Sequence, residues 1–372
     1  MSVGGSISTI YDIARIAGVS AKTVSRVLNG DAPVGRETRE GVQKAIAELG
    51  FVPSNAARMV RSNKAGLIGL IIGAISMLPE PTQPAGLPEL FIVQGIQKAL
   101  VGFRMTLMIS DTGGLVEKAG PLIDTFLRHR VEGLIYVAAY HQKVTLPVIA
   151  DGTPLMLANC FDDRGTPSIL PDDRRGQHDL VARIVVAGHR RIGYLTLRPD
   201  IAAGRLRGEG YRVALAAAGI PYDPDLVENC DLEGRDGETQ LLWEAIDRML
   251  RLTHPPTVLC CGNDKMALRV YVLLRSMGRQ VPTEVSVAGY DNDRVIAETL
   301  YPPLTTVDLP YTAMGVRAAQ RLMAMISGET REDNGPTLVA GPVYWRNSVI
   351  PLALTNVSLL PNVSQLKTVR EV

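Results

Sequence analysis

In the stretch VSAKTVSRVLNG, residues 19–30, Lys22, Ser25, Arg26 and Asn29 fall at i, i+3, i+4 and i+7. That spacing is one stripe of a helix, and Val24, Val27 and Leu28 take the opposite one. A short helix with an apolar back and a donor-rich front can enter a DNA major groove, where bases present acceptors to it. Ala21, Lys22 and Arg26 would lie near its exposed start and middle, and a lysine or arginine there suits guanine O6 and N7. Thr23, Ser25 and Asn29 suit phosphates or neighbouring bases. The same stripe also describes an ordinary solvated helix face, and periodicity alone leaves both readings open.

The elements that would hold this stripe are legible around it. STIYDIARIAG reads as a first helix, with Thr9 as N-cap, Asp12 three residues on, and Gly18 as its stop. The second helix starts at Ser20 and ends at Gly30. A third, RETREGVQKAIAELG, sets Val42, Ala45, Ile46 and Leu49 on one face and stops at Gly50. Two helices joined by a glycine-bearing turn, with a third closing the core, is the helix-turn-helix plan. Residues 1–65 hold nine basic and five acidic side chains, against a formal +1 for the whole chain, so any anionic partner belongs to the head.

From Gly66 the character changes. Seven apolar runs of strand length recur, from LIGLII to VSVAGYD, separated by helical patterns at 90–102, 116–130, 174–188, 205–218, 236–251, 264–277 and 311–327. Such alternation predicts parallel sheets covered by helices, and the length calls for two α/β lobes with a ligand crevice at the strand ends. The run AGLIGLIIGAISML is glycine-broken and stopped by Pro79, which fits a buried strand better than a membrane span. The N-terminus lacks the layout of a signal peptide, so a cytoplasmic protein is expected. Cys160, Cys230, Cys260 and Cys261 have neither a disulfide framework nor metal spacing and read as reduced thiols, with Cys260 and Cys261 on opposite faces of a strand.

Catalytic signatures are missing: there is no G-x-G-x-x-G after the first strand, no G-x-x-x-x-G-K-[ST], no H-E-x-x-H and no G-x-S-x-G. His129, His141, His178, His189 and His254 are scattered, and His189 reads as a hinge or core residue at the lobe crossover. An α/β enzyme and a secreted sugar-binding receptor are the rival classes; the receptor would need a signal peptide and no basic head.

TIYDIARIAGVSAKTVSRVLNG resembles the headpiece of the lactose-repressor (LacI/GalR) family of bacterial transcription regulators. The likeness continues through ETREGVQKAIAELGFVPSNAARMVRSNKAGLIGLII. It returns in VEGLIYV, GHRRIGYL, RLRGEGYRVALAAAGIPYDPDLV, GNDKMAL, VPTEVSVAGYDN and YPPLTTVDLP, in family order to about Val349. The resemblance implies a helix-turn-helix domain at 1–52, a hinge helix or linker at 53–65, a core of periplasmic-binding-protein type I at 66–350 and a tail at 351–372. Within the core it implies an N-lobe at about 66–189 plus 307–335 and a C-lobe at about 190–306 plus 336–350.

Residue by residue, the resemblance makes Ala21, Lys22 and Arg26 the base-reading positions, with Ala21 limited to a thymine methyl contact. Thr23, Ser25 and Asn29 match phosphate-contacting or helix-fixing positions. NAARMVR matches the hinge helix, which folds on operator DNA in the minor groove. Where the family usually has a wedging leucine this chain has Val60, either a shallower wedge or a contact to a dimer mate, flanked by Arg58 and Arg61. For a small effector it implies Arg207, with Arg205 one helical step aside, and Asn263, Asp291 and Asp172. Asn263 and Asp291 also fit caps after strands, and Arg207 a salt bridge. An arginine fork, an amide and carboxylates suit a polyhydroxylated ligand. Leu232 stands where relatives often place an aromatic, and LPEL replaces an aromatic-bearing loop. Glu89 there suits a hydroxyl and Phe161 offers a stacking face, so a sugar is favoured over a nucleobase. The partners implied are near-palindromic operator DNA, a carbohydrate effector and a second copy of the chain in a homodimer, with no cofactor, no metal and no membrane. The tail LLPNVSQLKTVREV is too short for a tetramer-forming coiled coil.

Overall fold

The computed structural model describes residues 8–29, 34–51, 65–73, 88–231, 237–329 and 335–352. The chain divides into two compact units, Met1–Ala65 and Gly66–Val372. In the first, α1 (Ile10–Ile16), α2 (Ala21–Asn29) and α3 (Arg36–Leu49) close over a small core of Ile13, Ala14, Val24, Val42 and Ala45. The α1 cap forms as a reciprocal arrangement in which the Asp12 carboxylate accepts from both the Thr9 backbone N–H (2.9 Å) and its hydroxyl (2.7 Å). These bonds hold the Asp12 carboxyl below its ordinary range. Ser20 caps α2 by accepting from the Thr23 N–H at 3.1 Å. Gly50 ends α3 with a φ of 56°, a left-handed turn that suits glycine.

The second unit holds two six-stranded sheets. Sheet A runs β11-β5-β4-β3-β1-β2, from β1 (Leu67–Ile72), β2 (Thr106–Asp111), β3 (Gly133–Lys143), β4 (Leu155–Phe161), β5 (Ser168–Pro171) and β11 (Thr337–Val339). Sheet B runs β12-β10-β9-β8-β6-β7, from β6 (Ile192–Thr196), β7 (Val227–Asn229), β8 (Val258–Cys261), β9 (Ser286–Asp291), β10 (Thr305–Asp308) and β12 (Val343–Tyr344). All pairs are parallel except β10 with β12. The greasy run at 67–72 is a strand, apolar throughout because both faces of a helix-covered sheet are buried.

On one face of sheet A, α4 (Pro88–Phe103) and α11 (Tyr311–Ile326) pack Ile92, Ile96 and Leu322 against Leu70 and Ile135; α5 (Ala119–Arg128) covers the other with Phe126. Sheet B is sandwiched by α6 (Asp173–Val186) and α7 (Ala202–Ala217) on one face and by α8 (Glu238–Leu250) and α9 (Asp264–Ser276) on the other. A short α10 (Arg294–Thr299) follows β9. Cys260 and Cys261 enter opposite faces, and burial pushes the Cys260 and Cys230 thiols up to about 12.

The lobe boundaries differ from those expected in three places. The resemblance places helix α6 with the N-lobe, but Leu180, Val181 and Ile184 lie in the core of sheet B, so the first crossover comes at Asp172. Strand β10 belongs wholly to sheet B, and β11 pairs with β5 in sheet A, which moves the last crossover to 340–342. His189 accordingly sits inside the lobe of sheet B, its Nδ1 2.8 Å from Thr257 Oγ1 and its Nε2 3.0 Å from the Ile350 carbonyl oxygen, with burial lowering its pKa. It is a core residue and not a crossover hinge.

Candidate functional site

In the head, Lys22 and Arg26 are exposed and make no ion pair among the described residues. Ser25 does not share their face: it is 9% exposed and lies beside the buried Val24, because the α2 core stripe is wide enough to include it. Its position suits helix fixing and not phosphate contact. The Thr23 hydroxyl is likewise engaged, 2.9 Å from that of Ser20. Ala21 is half-buried against the head core. Among the described side chains of α2, the outward charged groups are therefore Lys22 and Arg26. Tyr11, 74% exposed on α1, is an outward-facing aromatic that periodicity had not singled out. The Asn29 side chain, and Arg58, Val60 and Arg61, lie outside the described residues.

In the core, six of the seven residues expected around one effector have described side chains, and they separate into two groups. The first surrounds Arg207, which α7 carries into the ends of the sheet B strands and leaves 4% exposed. Arg207 donates from Nε to Asp173 Oδ1 (2.8 Å) and from Nη1 to the Gly262 carbonyl (2.6 Å) and Asp291 Oδ1 (3.4 Å). Its guanidinium lies 3.6 Å from the centre of the Tyr290 ring, in cation–π range. Burial opposes every charge here, but Asp173 and Asp291 together raise the Arg207 pKa, and Arg207 holds the fully buried Asp173 carboxyl low. Asp291 is different: burial pushes it up to about 6 against the pull of Arg207. Behind it, burial and the Asp291 charge lift Asp264 well above the usual carboxylate range, although Asp264 accepts from the Thr306 hydroxyl (2.7 Å) and the Asp293 N–H (2.8 Å).

Asn263, next to Gly262, caps α9 by accepting from the Met266 N–H at 2.7 Å. Asp172 caps α6 by accepting from the Arg175 N–H at 3.1 Å. Of the two carboxylates in LPDDRRG, the one that meets Arg207 is thus Asp173, which the sequence does not single out. Asp172, Phe161 and Arg205 form the second group. They line a cavity of about 750 Å³ that Arg207, Asn263 and Asp291 do not line. Arg205 pairs there with Glu209 at 2.8 Å. Glu89 is the second residue of α4, and its side chain lies outside the described residues, as does Leu232.

Two further residues join the groups. His141 Nδ1 lies 2.8 Å from Asp173 Oδ2, and the His141 ring meets Phe161 edge-on at 5.8 Å between centres. One buried carboxylate thus receives an arginine on one oxygen and an imidazole on the other. No group of His, Cys, Asp and Glu among the described residues has the arrangement of a metal site. No helix among them is long and apolar enough to cross a membrane.

Residues 9–54 match the family described as bacterial regulatory proteins, lacI family, and residues 181–349 match the periplasmic binding protein-like domain. The chain is 34% identical over 341 residues to the HTH-type transcriptional regulator CelR of Thermobifida fusca, covering 87% of this chain and 93% of that one. Among solved structures, the complex of the transcriptional regulator CelR with cellobiose is 29% identical with a TM-score of 0.61, covering 92% of this chain and 99% of that one. The lac repressor dimer bound to operator and the anti-inducer ONPF is 25% identical with a TM-score of 0.72, covering 93% and 100%.

Proposed function

Because this chain belongs to the LacI family of bacterial regulatory proteins, we propose that it is a sequence-specific DNA-binding repressor, and not an enzyme, whose operator affinity is set by a small polar effector in its two-lobed core. The observation that carries the reading is a helix-turn-helix head whose second helix offers Lys22 and Arg26 to solvent. These two side chains read guanine edges in the major groove. Arg58, Val60 and Arg61 follow the minor groove on the strength of the family resemblance.

The protein acts as a cytoplasmic homodimer on a near-palindrome, since a two-fold protein matches a two-fold operator. Leu90, Phe91, Val101 and Phe103 of α4 stand exposed in one helix, an apolar surface that supports pairing through this lobe. The effector is a sugar held by Arg207, Asn263 and Asp291 at the strand ends, where a guanidinium, an amide and a carboxylate supply donors and acceptors for hydroxyls. The cellobiose found with the CelR relative supports that class.

Selection of binding sites from random duplex DNA at ~0.15 M salt tests the reading. The expected result is enrichment of one near-palindrome, with Arg26→Ala weakening binding to it by ~1–3 kcal/mol. A folded sample that enriches nothing, with or without a pool of sugars, would overturn it.

A further inference from the structure

The cavity of about 750 Å³ is large enough for a ligand, and it is distinct from the strand-end cluster around Arg207. One side is the β5–β11 edge of sheet A, with Leu170 and Leu338; the other is the outer surface of α6 and α7, with Arg174 and Val213. Phe161 and His141 complete it at the ends of β4 and β3. Most of its polar groups are already engaged. Asp162 accepts from Thr166 and Arg164, Asp172 caps its helix, Glu209 holds Arg205, and Arg175 lies 3.6 Å from Asp179.

Two of its polar side chains keep a hydrogen-bonding group unused. His141 is 5% exposed and bonds Asp173 through Nδ1, but its Nε2 has no partner among the described residues. Asp173 is held ionised by Arg207 and can only accept, so Nδ1 carries a proton and Nε2 is the ring nitrogen left to a ligand. Arg174 is exposed and makes no ion pair among the described residues. The cavity therefore offers a buried ring nitrogen at one point, a free cation at another and apolar walls with one aromatic ring between them.

We propose that this cavity is a second small-molecule site, for a hydroxyaryl carboxylate whose hydroxyl hydrogen-bonds to His141 Nε2, whose ring packs between Phe161, Leu170, Val213 and Leu338, and whose carboxylate meets Arg174. Such a ligand would bridge the edge of one lobe and two helices of the other. Through Asp173 it would also fix the partner of Arg207, so its occupancy bears directly on the strand-end cluster.

The test is calorimetric titration of the full-length protein with 4-hydroxycinnamate as probe. Saturable binding of one probe per chain is expected. It should weaken at least roughly tenfold with 4-methoxycinnamate, whose hydroxyl is capped by a methyl group that crowds the buried His141 edge, and by a similar factor in Arg174→Gln. Val213→Trp and Leu338→Trp, at partly exposed positions, should abolish it by filling the space, with thermal melts showing each variant folded. The proposal is overturned if the wild-type chain shows no saturable heat, or if binding survives both tryptophan substitutions. Operator binding measured on the same samples reports on the regulator reading separately, so either can fail alone.

Discussion

Asp291 carries two handicaps at one position. It ends β9 with a φ of 115°, a region that L residues rarely adopt, and its carboxyl is buried enough to be pushed up to about 6. A non-glycine residue held there stores strain of ~1–3 kcal/mol, and such strain collects at functional sites. Because the folded pKa lies above the ~3.9 of an unfolded chain, the folded state binds the extra proton. The penalty for ionising Asp291 is therefore fully present above about pH 6 and fades as pH falls toward ~4. Asp291→Gly removes the strain and the half-buried carboxyl together. Urea denaturation should show the variant more stable by ~1–2 kcal/mol near pH 7.5, with the gain shrinking toward pH 5, while the effector response is lost. A variant less stable than wild type near pH 7.5 would mean that the contact to Arg207 outweighs both handicaps. Residue chemistry of this kind was only half legible in the sequence. Arg207 and Asp291 stood out by resemblance, but choosing Asp173 over Asp172 depends on which carboxylate caps α6 and which turns inward, and that is decided by packing.

Helices α4 and α11 meet with almost nothing between them. A Cβ on Gly95 would lie 2.1 Å from the Thr312 carbonyl oxygen, and one on Gly315 2.0 Å from that of Ile92. The contact is reciprocal and made by backbone, so no side chain can rotate away to make room. Gly315→Ala should therefore destabilise the core by ~1–3 kcal/mol through overpacking. Gly102→Ala, in the same helix α4 but with open space around its Cβ, should instead stabilise it by ~0.5–1 kcal/mol from helix propensity alone. Paired denaturation curves check both signs, and equal effects would refute the close crossing. At this scale the sequence was a good guide to long elements and a poor one to short ones. The seven long core helices sit close to where their apolar periodicity put them. The strands not anticipated, β5, β7, β10, β11 and β12, have four residues or fewer, too few to establish a period. Missing β11 also misplaced a lobe boundary, since only its pairing with β5 shows where the chain returns.

Across the core, the chain passes between the lobes three times, and the passages are tied to one another. The Asp172 N–H donates to the Val339 carbonyl and the Asp308 N–H to that of Pro342, each at 2.9 Å. Gly341 lies so close to the second passage that an added Cβ would be 1.9 Å from the Asp308 carbonyl oxygen. A change of angle between lobes must therefore pass through this strap, and a small distortion there acts on both lobes at once. If effector and operator are coupled by that change, linkage requires each to alter the other's affinity by the same factor, typically 5–150-fold. Gly341→Ala forces two passages apart without touching Arg207, Asn263 or the head. It should cut the coupling factor toward one while both ligands still bind. The measurement is effector affinity with and without saturating operator duplex, and operator affinity with and without effector, for wild type and variant. Equal factors in the wild type that fall together in Gly341→Ala would place the coupling in the strap. A variant with an undiminished factor would mean that the lobes communicate by another route.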